Sequence, residues 1–227
     1  MGRGLIQPTL IALGGRQLRL AELPVPLPLD ELLAGEGPWE VEIGFGKGRY
    51  LLRRAAESPG RRFLGIEMAH EYFRRVASRA ARRGLGNVLA IRGEALYLLA
   101  AVLPRRFAQA VHVYFPDPWP KSRHARRRLF DPETVDLVLG LLAPGGRLSF
   151  ATDALAYGER VAEILEGYPG LRLERLPGGW PEGPRTNYEA KYVAEGRPIV
   201  RLAASVEERE APGLHPEGES GVMTAVA

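Results

Sequence analysis

The stretch WEVEIGFGKGRYLLRRAAE, residues 39–57, decides the fold. Its first five residues read as a strand, Gly44-Phe45-Gly46-Lys47-Gly48 as a turn, and residues 49–57 as a helix. A strand that breaks into a glycine-rich turn and re-enters as a helix opens an α/β unit that binds a nucleotide-like ligand over the turn. The glycines are spaced G-x-G-x-G. A dinucleotide fingerprint requires its third glycine at position 49, where a helix N-terminus meets pyrophosphate, and Arg49 occupies that place. Glu42, beside the turn, would also repel a pyrophosphate.

Working outward, the pattern repeats. Short apolar runs at 63–66, 87–91, 111–115 and 147–152 alternate with helical stretches at 69–83, 95–102, from 131 onward, and 155–167. Strands at 171–176 and 199–204 complete the series, separated by a loop rich in Gly and Pro and the segment RTNYEAKY, residues 185–192. Asp131-Pro132 suits a helix start, the acid as N-cap and the proline in the first turn. Ala143-Pro144-Gly145-Gly146 ends that helix. Such alternation builds a mainly parallel sheet wound on both faces, with ligands at the carboxyl ends of the strands. Glu42, Glu67, Glu94, Asp117 and Asp153 fall at or just beyond successive strand ends. One acid there is as readily a helix cap or a turn residue. Five in register point to a polar site.

The residue types narrow the ligand. Glu67, at the end of the second strand, suits a ribose, because one carboxylate accepts from both hydroxyls. Glu42 suits the cationic sulfonium and amino group of S-adenosylmethionine, and Glu94 would accept from the adenine amine. NAD is the competing ligand for such a turn, disfavoured by Arg49. The stretch VHVYFPDPWPKSRHARRR, residues 111–128, carries the other half of the chemistry. Pro116, Pro118 and Pro120 stiffen the backbone around Asp117 and Trp119, the latter a stacking plane or a packed side chain. Lys121 follows, then Arg123, Arg126, Arg127 and Arg128, a comb suited to phosphates.

Composition sets the bounds. The chain of 227 residues suits one α/β domain, residues 39–206, with an N-terminal arm or cover at 1–38 and an acidic, disordered tail at 207–227. Residues 207–227 hold five acids and one arginine, so the net charge of +4 becomes +8 for residues 1–206. A basic body suggests a polyanionic partner. Only Lys47, Lys121 and Lys191 are lysines among the 31 basic residues, so the arginine count by itself carries no phosphate-binding argument. With no Cys, disulfides and thiolate chemistry are excluded, and the four histidines show no metal-ligand spacing. No run reaches the apolar length of a membrane span, and residues 1–13 make a poor signal peptide. A cytoplasmic protein without metal is expected.

The motifs VEIGFGKGRYLL, FLGIE, FPDPWPKSRHARRR and RTNYEAKY, in this order, resemble those of the bacterial tRNA (guanine-N7-)-methyltransferases. The likeness spans residues 39–202. It implies a class I S-adenosylmethionine-dependent methyltransferase, a Rossmann-like fold of seven strands in which the last alone is antiparallel. It also implies tRNA as partner and a guanine of the variable loop as target. By the same resemblance Glu42, Glu67, Glu94 and Asp117 contact S-adenosylmethionine at the turn formed by Gly44, Gly46 and Gly48, and Asp117 is catalytic. Lys121, Asp153, Thr186, Asn187, Tyr188 and Glu189 would contact the substrate, with Arg123, Arg126, Arg127 and Arg128 against the RNA. Family members usually have Asp where this chain has Glu94. Thr186 and Glu189 also read as a helix cap and its capping-box partner.

The chemistry stands apart from the resemblance. Guanine N7 carries a free lone pair, so its methylation requires no general base, and positioning supplies most of the rate. Two rivals share the fold. Asp117-Pro118-Trp119 partly resembles the Asn/Asp-Pro-Pro-aromatic signature of exocyclic-amine methyltransferases, lacking the second adjacent proline. A non-catalytic RNA-binding domain would keep the fold and lose the cofactor.

Overall fold

A computed structural model describes residues 10–13, 16–118 and 128–207. The chain begins with a hairpin, β1 (Leu10–Leu13) and β2 (Arg16–Arg19), a 3-10 turn at Leu20–Glu22 and a short helix α1 (Leu29–Leu32). Alternation then sets in: β3 (Trp39–Ile43), α2 (Arg49–Glu57), β4 (Arg62–Glu67), α3 (His70–Arg82), β5 (Val88–Arg92), α4 (Ala95–Ala101) and β6 (Ala108–Tyr114). The remainder is α5 (Val135–Leu139), β7 (Leu142–Thr152), α6 (Leu155–Glu166), β8 (Leu171–Arg175), α7 (Asn187–Ala194) and β9 (Val200–Val206).

The described residues form one sheet of nine strands, ordered β2-β1-β5-β4-β3-β6-β7-β9-β8. Strands β5, β4, β3, β6 and β7 are mutually parallel, and β9 runs antiparallel between β7 and β8. The expected seven strands, with the last alone reversed, are therefore present as β3 to β9. The expectation is corrected by two more: the hairpin adds to the β5 edge, with Ile11 opposite Ile91 and Leu13 opposite Leu89. Two isolated four-residue strands carry little signal of their own, because their pairing depends on a partner some eighty residues away.

Burial follows the layering. All five residues of β3 are buried, as a strand flanked on both sides and covered on both faces requires. Val41, Ile43, Leu89, Ile91, Val111 and Val113 enter the larger core with residues of α4, α5 and α6. That core also takes Leu27, Leu29 and Leu33 from before the first parallel strand. On the other face α2 and α3 cover Phe63, Val88 and Ala90. Helix α3 buries Phe73, Val76 and Ala80, at spacings of three and four, and leaves its arginines outside.

Two local expectations change. The helix opening at Asp131-Pro132 starts later, at Val135, because the Asp131 carbonyl accepts from the amides of both Thr134 and Val135 and closes a turn first. The Asp131 carboxylate goes to Arg128 and Arg160 instead of capping. Ala143 to Gly146 lies inside β7, where the register against β6 jumps from Leu142 opposite Ala108 to Arg147 opposite Ala110.

Candidate active site

The glycine turn is built by backbone geometry. Gly44, Gly46 and Gly48 have φ of 77°, 50° and 68°, values that residues with a Cβ rarely adopt. A Cβ on Gly48 would stand 2.5 Å from Val76 Cγ2, so α3 packs directly on the turn. At Gly44 and Gly46 no described heavy atom lies within 4 Å of an added Cβ. The turn is supported from below and open above.

Three acids near the ends of β3, β4 and β5 stand in different states. Glu67 Oε2 accepts from the Gly46 amide and Oε1 from the Ala69 amide, both at 2.8 Å. This fixes the carboxylate and leaves each oxygen a further lone pair. Glu94 caps α4, Oε1 accepting from Leu96 N at 3.1 Å and Oε2 from Tyr97 N at 2.7 Å. Glu42 is buried beneath the turn, and its Oε2 has no hydrogen-bond partner among the described residues. Burial pushes its pKa up to about 8, against a hydrogen bond from the Leu51 backbone, and the Glu67 charge adds to the rise. A buried carboxyl group with an unused oxygen is costly unless something satisfies it. A cationic ligand on the turn would do so.

The other side of the site begins at Phe115. Its φ of 52° is an outlier for a bulky residue, and more so before a proline, which favours extended backbone. The strain is held by tertiary contacts: Phe115 N donates to Ala151 O at 2.7 Å, and the ring packs edge-on to Tyr192 at 5.6 Å and beside Tyr188 at 6.3 Å. Strain of this kind gathers at working sites. Here it redirects the chain so that Asp117, two residues on, stands exposed past the strand end.

Asp153, at the end of β7, is bound by Arg197 Nη2 at 2.7 Å, and that guanidinium lies over the Tyr192 ring. Thr186 caps α7, accepting from Glu189 N at 3.1 Å. Glu189 is fully buried: Oε2 accepts from Arg185 N and Oε1 from Arg201 Nε. Thr186 therefore caps the helix as that reading has it, whereas the Glu189 carboxylate reaches one residue further back, to Arg185 N, and does not close a capping box. Asn187 and Tyr188 stay exposed, with Asn187 3.5 Å from Arg49 Nη1. Arg128, expected in the RNA-facing comb, turns inward instead. It is 12% exposed, donates to Pro118 O and faces Asp131, which clasps the two ends of the segment between. Trp119, Lys121, Arg123, Arg126 and Arg127 lie outside the described residues, as do residues 208–227.

One residue that sequence reasoning passed over joins the two sides. The Arg185 guanidinium stacks on Trp180 at 3.9 Å, donates to Tyr114 Oη at 2.7 Å and pairs with Glu182. It pins the loop before α7 over the sheet, so that Thr186 to Tyr188 stand near the end of β6. Its position at the head of RTNYEAKY was the available signal. Met68, Tyr97, Leu155 and Tyr188 are exposed and surround the same end of the sheet, an apolar rim about a polar floor.

A sheet of this order, with an open glycine turn, a ribose-type acid and an unsatisfied buried carboxyl group, is that of a class I S-adenosylmethionine-dependent methyltransferase. The 16S rRNA methyltransferase KamB shares the fold, with a TM-score of 0.62 and 16% identity, over 87% of this chain and 99% of that one. Residues 36–202 match the family described as "Putative methyltransferase". The tRNA (guanine-N(7)-)-methyltransferase of Alkalilimnicola ehrlichii is 38% identical over 83% of this chain and 80% of its own length. That of Nitrosococcus oceani is 36% identical over 80% and 78%. The chain belongs to the tRNA (guanine-N7-)-methyltransferase family.

Proposed function

We propose that the protein methylates N7 of a guanine in the variable loop of cytoplasmic tRNA, forming 7-methylguanosine. When bound, S-adenosylmethionine supplies a sulfonium methyl to the N7 lone pair and is released as the neutral thioether. The observation that supports the proposal is an unsatisfied buried carboxyl group at Glu42, together with a strained Phe115 after which Asp117 stands exposed past the end of β6.

Each residue then has a part. Glu42 ionises beside the ligand's cationic groups. Glu67, held by two amides, accepts from the ribose hydroxyls, and the backbone of Gly44 and Gly46 lets the ligand lie close. Glu94 offers the adenine edge the lone pairs that its cap leaves, and Met68 and Tyr97 give the adenine apolar walls. On the substrate side Asp117 faces the guanine, where its charge stabilises the positive charge that develops on the ring. Asn187 and Tyr188 border the base, Tyr188 by stacking. Thr186 and Glu189 hold the segment in place, since their polar atoms are engaged within the fold, and Asp153 steers through Arg197. Lys121 and the arginines at 123, 126 and 127 meet the RNA backbone.

Incubating unmodified tRNA with labelled S-adenosylmethionine and identifying the methylated nucleoside tests the proposal. 7-Methylguanosine in the variable loop is expected, and an exocyclic methylamine in its place would sink it.

A further inference from the structure

Helix α3 and the N-terminal hairpin enclose an open groove of about 1000 Å³ that meets the site above only at Lys47. Arg74, Arg75, Arg79 and Arg82 line one wall, Arg16 the other, and Lys47 of the glycine turn closes one end. The hairpin is held there by Ala12, which packs with Phe73, Val76 and Ala80.

The charges in this groove are not arranged for stability. Elsewhere Arg54, Arg61, Arg160, Arg175, Arg197 and Arg201 each sit on an acid, and the arginines that do not, such as Arg106, Arg147 and Arg172, lie on separate elements and are not gathered in one concavity. In the groove only Arg75 has one, Glu71, one turn away on an exposed surface where such a pair contributes little. Among the described residues Arg16, Arg74 and Arg82 have no acidic partner, and Arg79 donates only to the Lys47 carbonyl. Like charges at three- and four-residue spacing, as at 75, 79, 82 and 83, cost a helix stability. A row of unpaired guanidinium groups in a concave channel is a receptor for a polyanion.

Placement identifies the polyanion. The groove runs from Lys47, on the turn after β3, out to β1, and β1 lies four strands from β6, or about 19 Å across the sheet at the usual spacing. It is open and long, with Arg74 and Arg82 about 12 Å apart along the helix. A single nucleotide cannot span both places, whereas a folded RNA does. We infer that the groove between α3 and the N-terminal hairpin grips the phosphate backbone of the tRNA body, well away from the nucleotide being methylated. This rests on the proposed tRNA activity and adds a second anchor to it, separate from the comb after Lys121.

The test uses the double variant Arg74→Gln, Arg82→Gln in the full chain, with two RNAs: whole tRNA and a short hairpin carrying only the target loop. The variant should bind whole tRNA on the order of tenfold more weakly, with a salt slope lower by about one to two units. Its kcat at saturating tRNA, its S-adenosylhomocysteine affinity and its binding of the short hairpin should match wild type. Its melting temperature should change little, because no ion pair is lost and, of the two, only the exposed Arg82, in the last turn of α3, favours the helix dipole. Wild type should itself show a steeper salt slope for tRNA than for the hairpin. Equal losses on both RNAs, an unchanged tRNA slope, or tighter binding by the variant would overturn the inference; the last would mean that an acidic segment of the chain occupies the groove. A wild type that binds tRNA without methylating it would instead count against the proposed activity and leave the groove standing.

Discussion

In the β3-β4-β5 half of the sheet, polar groups at the strand ends are settled by the main chain. Glu67 takes two amides, Glu94 takes two, and the glycine turn presents backbone alone, while Glu42 beneath it keeps an oxygen unsettled among the described residues. In the β6-β7-β9 half the corresponding groups are settled by other side chains: Asp153 by Arg197, Glu189 by Arg201, Tyr114 by Arg185, with Phe115 held off its preferred backbone. The first half is set by local chain geometry and suits a ligand of constant shape. The second is a network in which each member waits on another, and it suits a large substrate that must be turned and seated.

The contrast yields four expectations, in falling order of effect. Asp117→Asn keeps the shape and removes the charge, so turnover should drop roughly 10²–10³-fold with tRNA affinity little changed. Single-turnover rates decide this. A loss confined to productive binding would mean that Asp117 only orients the base, and the substrate half would then contain no catalytic charge.

Next is proton linkage at Glu42. With burial pushing the Glu42 pKa up to about 8, the free protein should hold a proton on this group below that pH, and a cationic ligand should displace it. Affinity for S-adenosylmethionine should rise by up to tenfold per pH unit from pH 6 and level off above pH 8, while turnover at saturation stays flat. The unfolded chain loses this proton near the ordinary glutamate value of 4.5, so the free fold loses about 1.4 kcal/mol per pH unit from this group between 4.5 and about 8. Calorimetry and melting curves of Glu42→Gln should show neither dependence. A wild-type affinity indifferent to pH would break the picture of the first half.

Arg185→Met removes the charge that stacks on Trp180 while keeping an apolar chain of similar reach. Turnover should fall about tenfold, the scale of one desolvated cation–π contact, with cofactor affinity untouched. Equal damage to both ligands would erase the distinction between the halves. Smallest is Thr186→Ala: loss of the cap should cost about 1 kcal/mol and a few degrees in melting temperature, with turnover per folded molecule intact.

The same contrast explains what the sequence made legible. The glycine turn and the acid after the second parallel strand are local signals, and the structure brings them together as expected. Whether Glu94 or Glu189 faces a ligand or caps its own helix depends on a rotamer, and the two readings share one motif. Phe115 runs against both rules that govern it, so its positive φ follows only from Ala151 and Tyr192, distant in the chain. Arg185 sits in a quoted motif, yet its partners, Tyr114 and Trp180, come from other elements. The hairpin at 10–19 was read as part of an arm because four-residue strands show themselves only against β5.

That hairpin has a consequence for the integrity of the sheet. All five residues of β5 are buried. Without β1 and β2 this strand would be an outer edge, apolar and unpaired, open to the same strand of another molecule. The edge that β2 offers in its place is four residues long and carries Arg16 and Arg19. A chain trimmed to residues 36–202, the span recognised by family likeness, would lose this guard and the end of β9 as well. It should retain the chemistry on paper and aggregate in the tube.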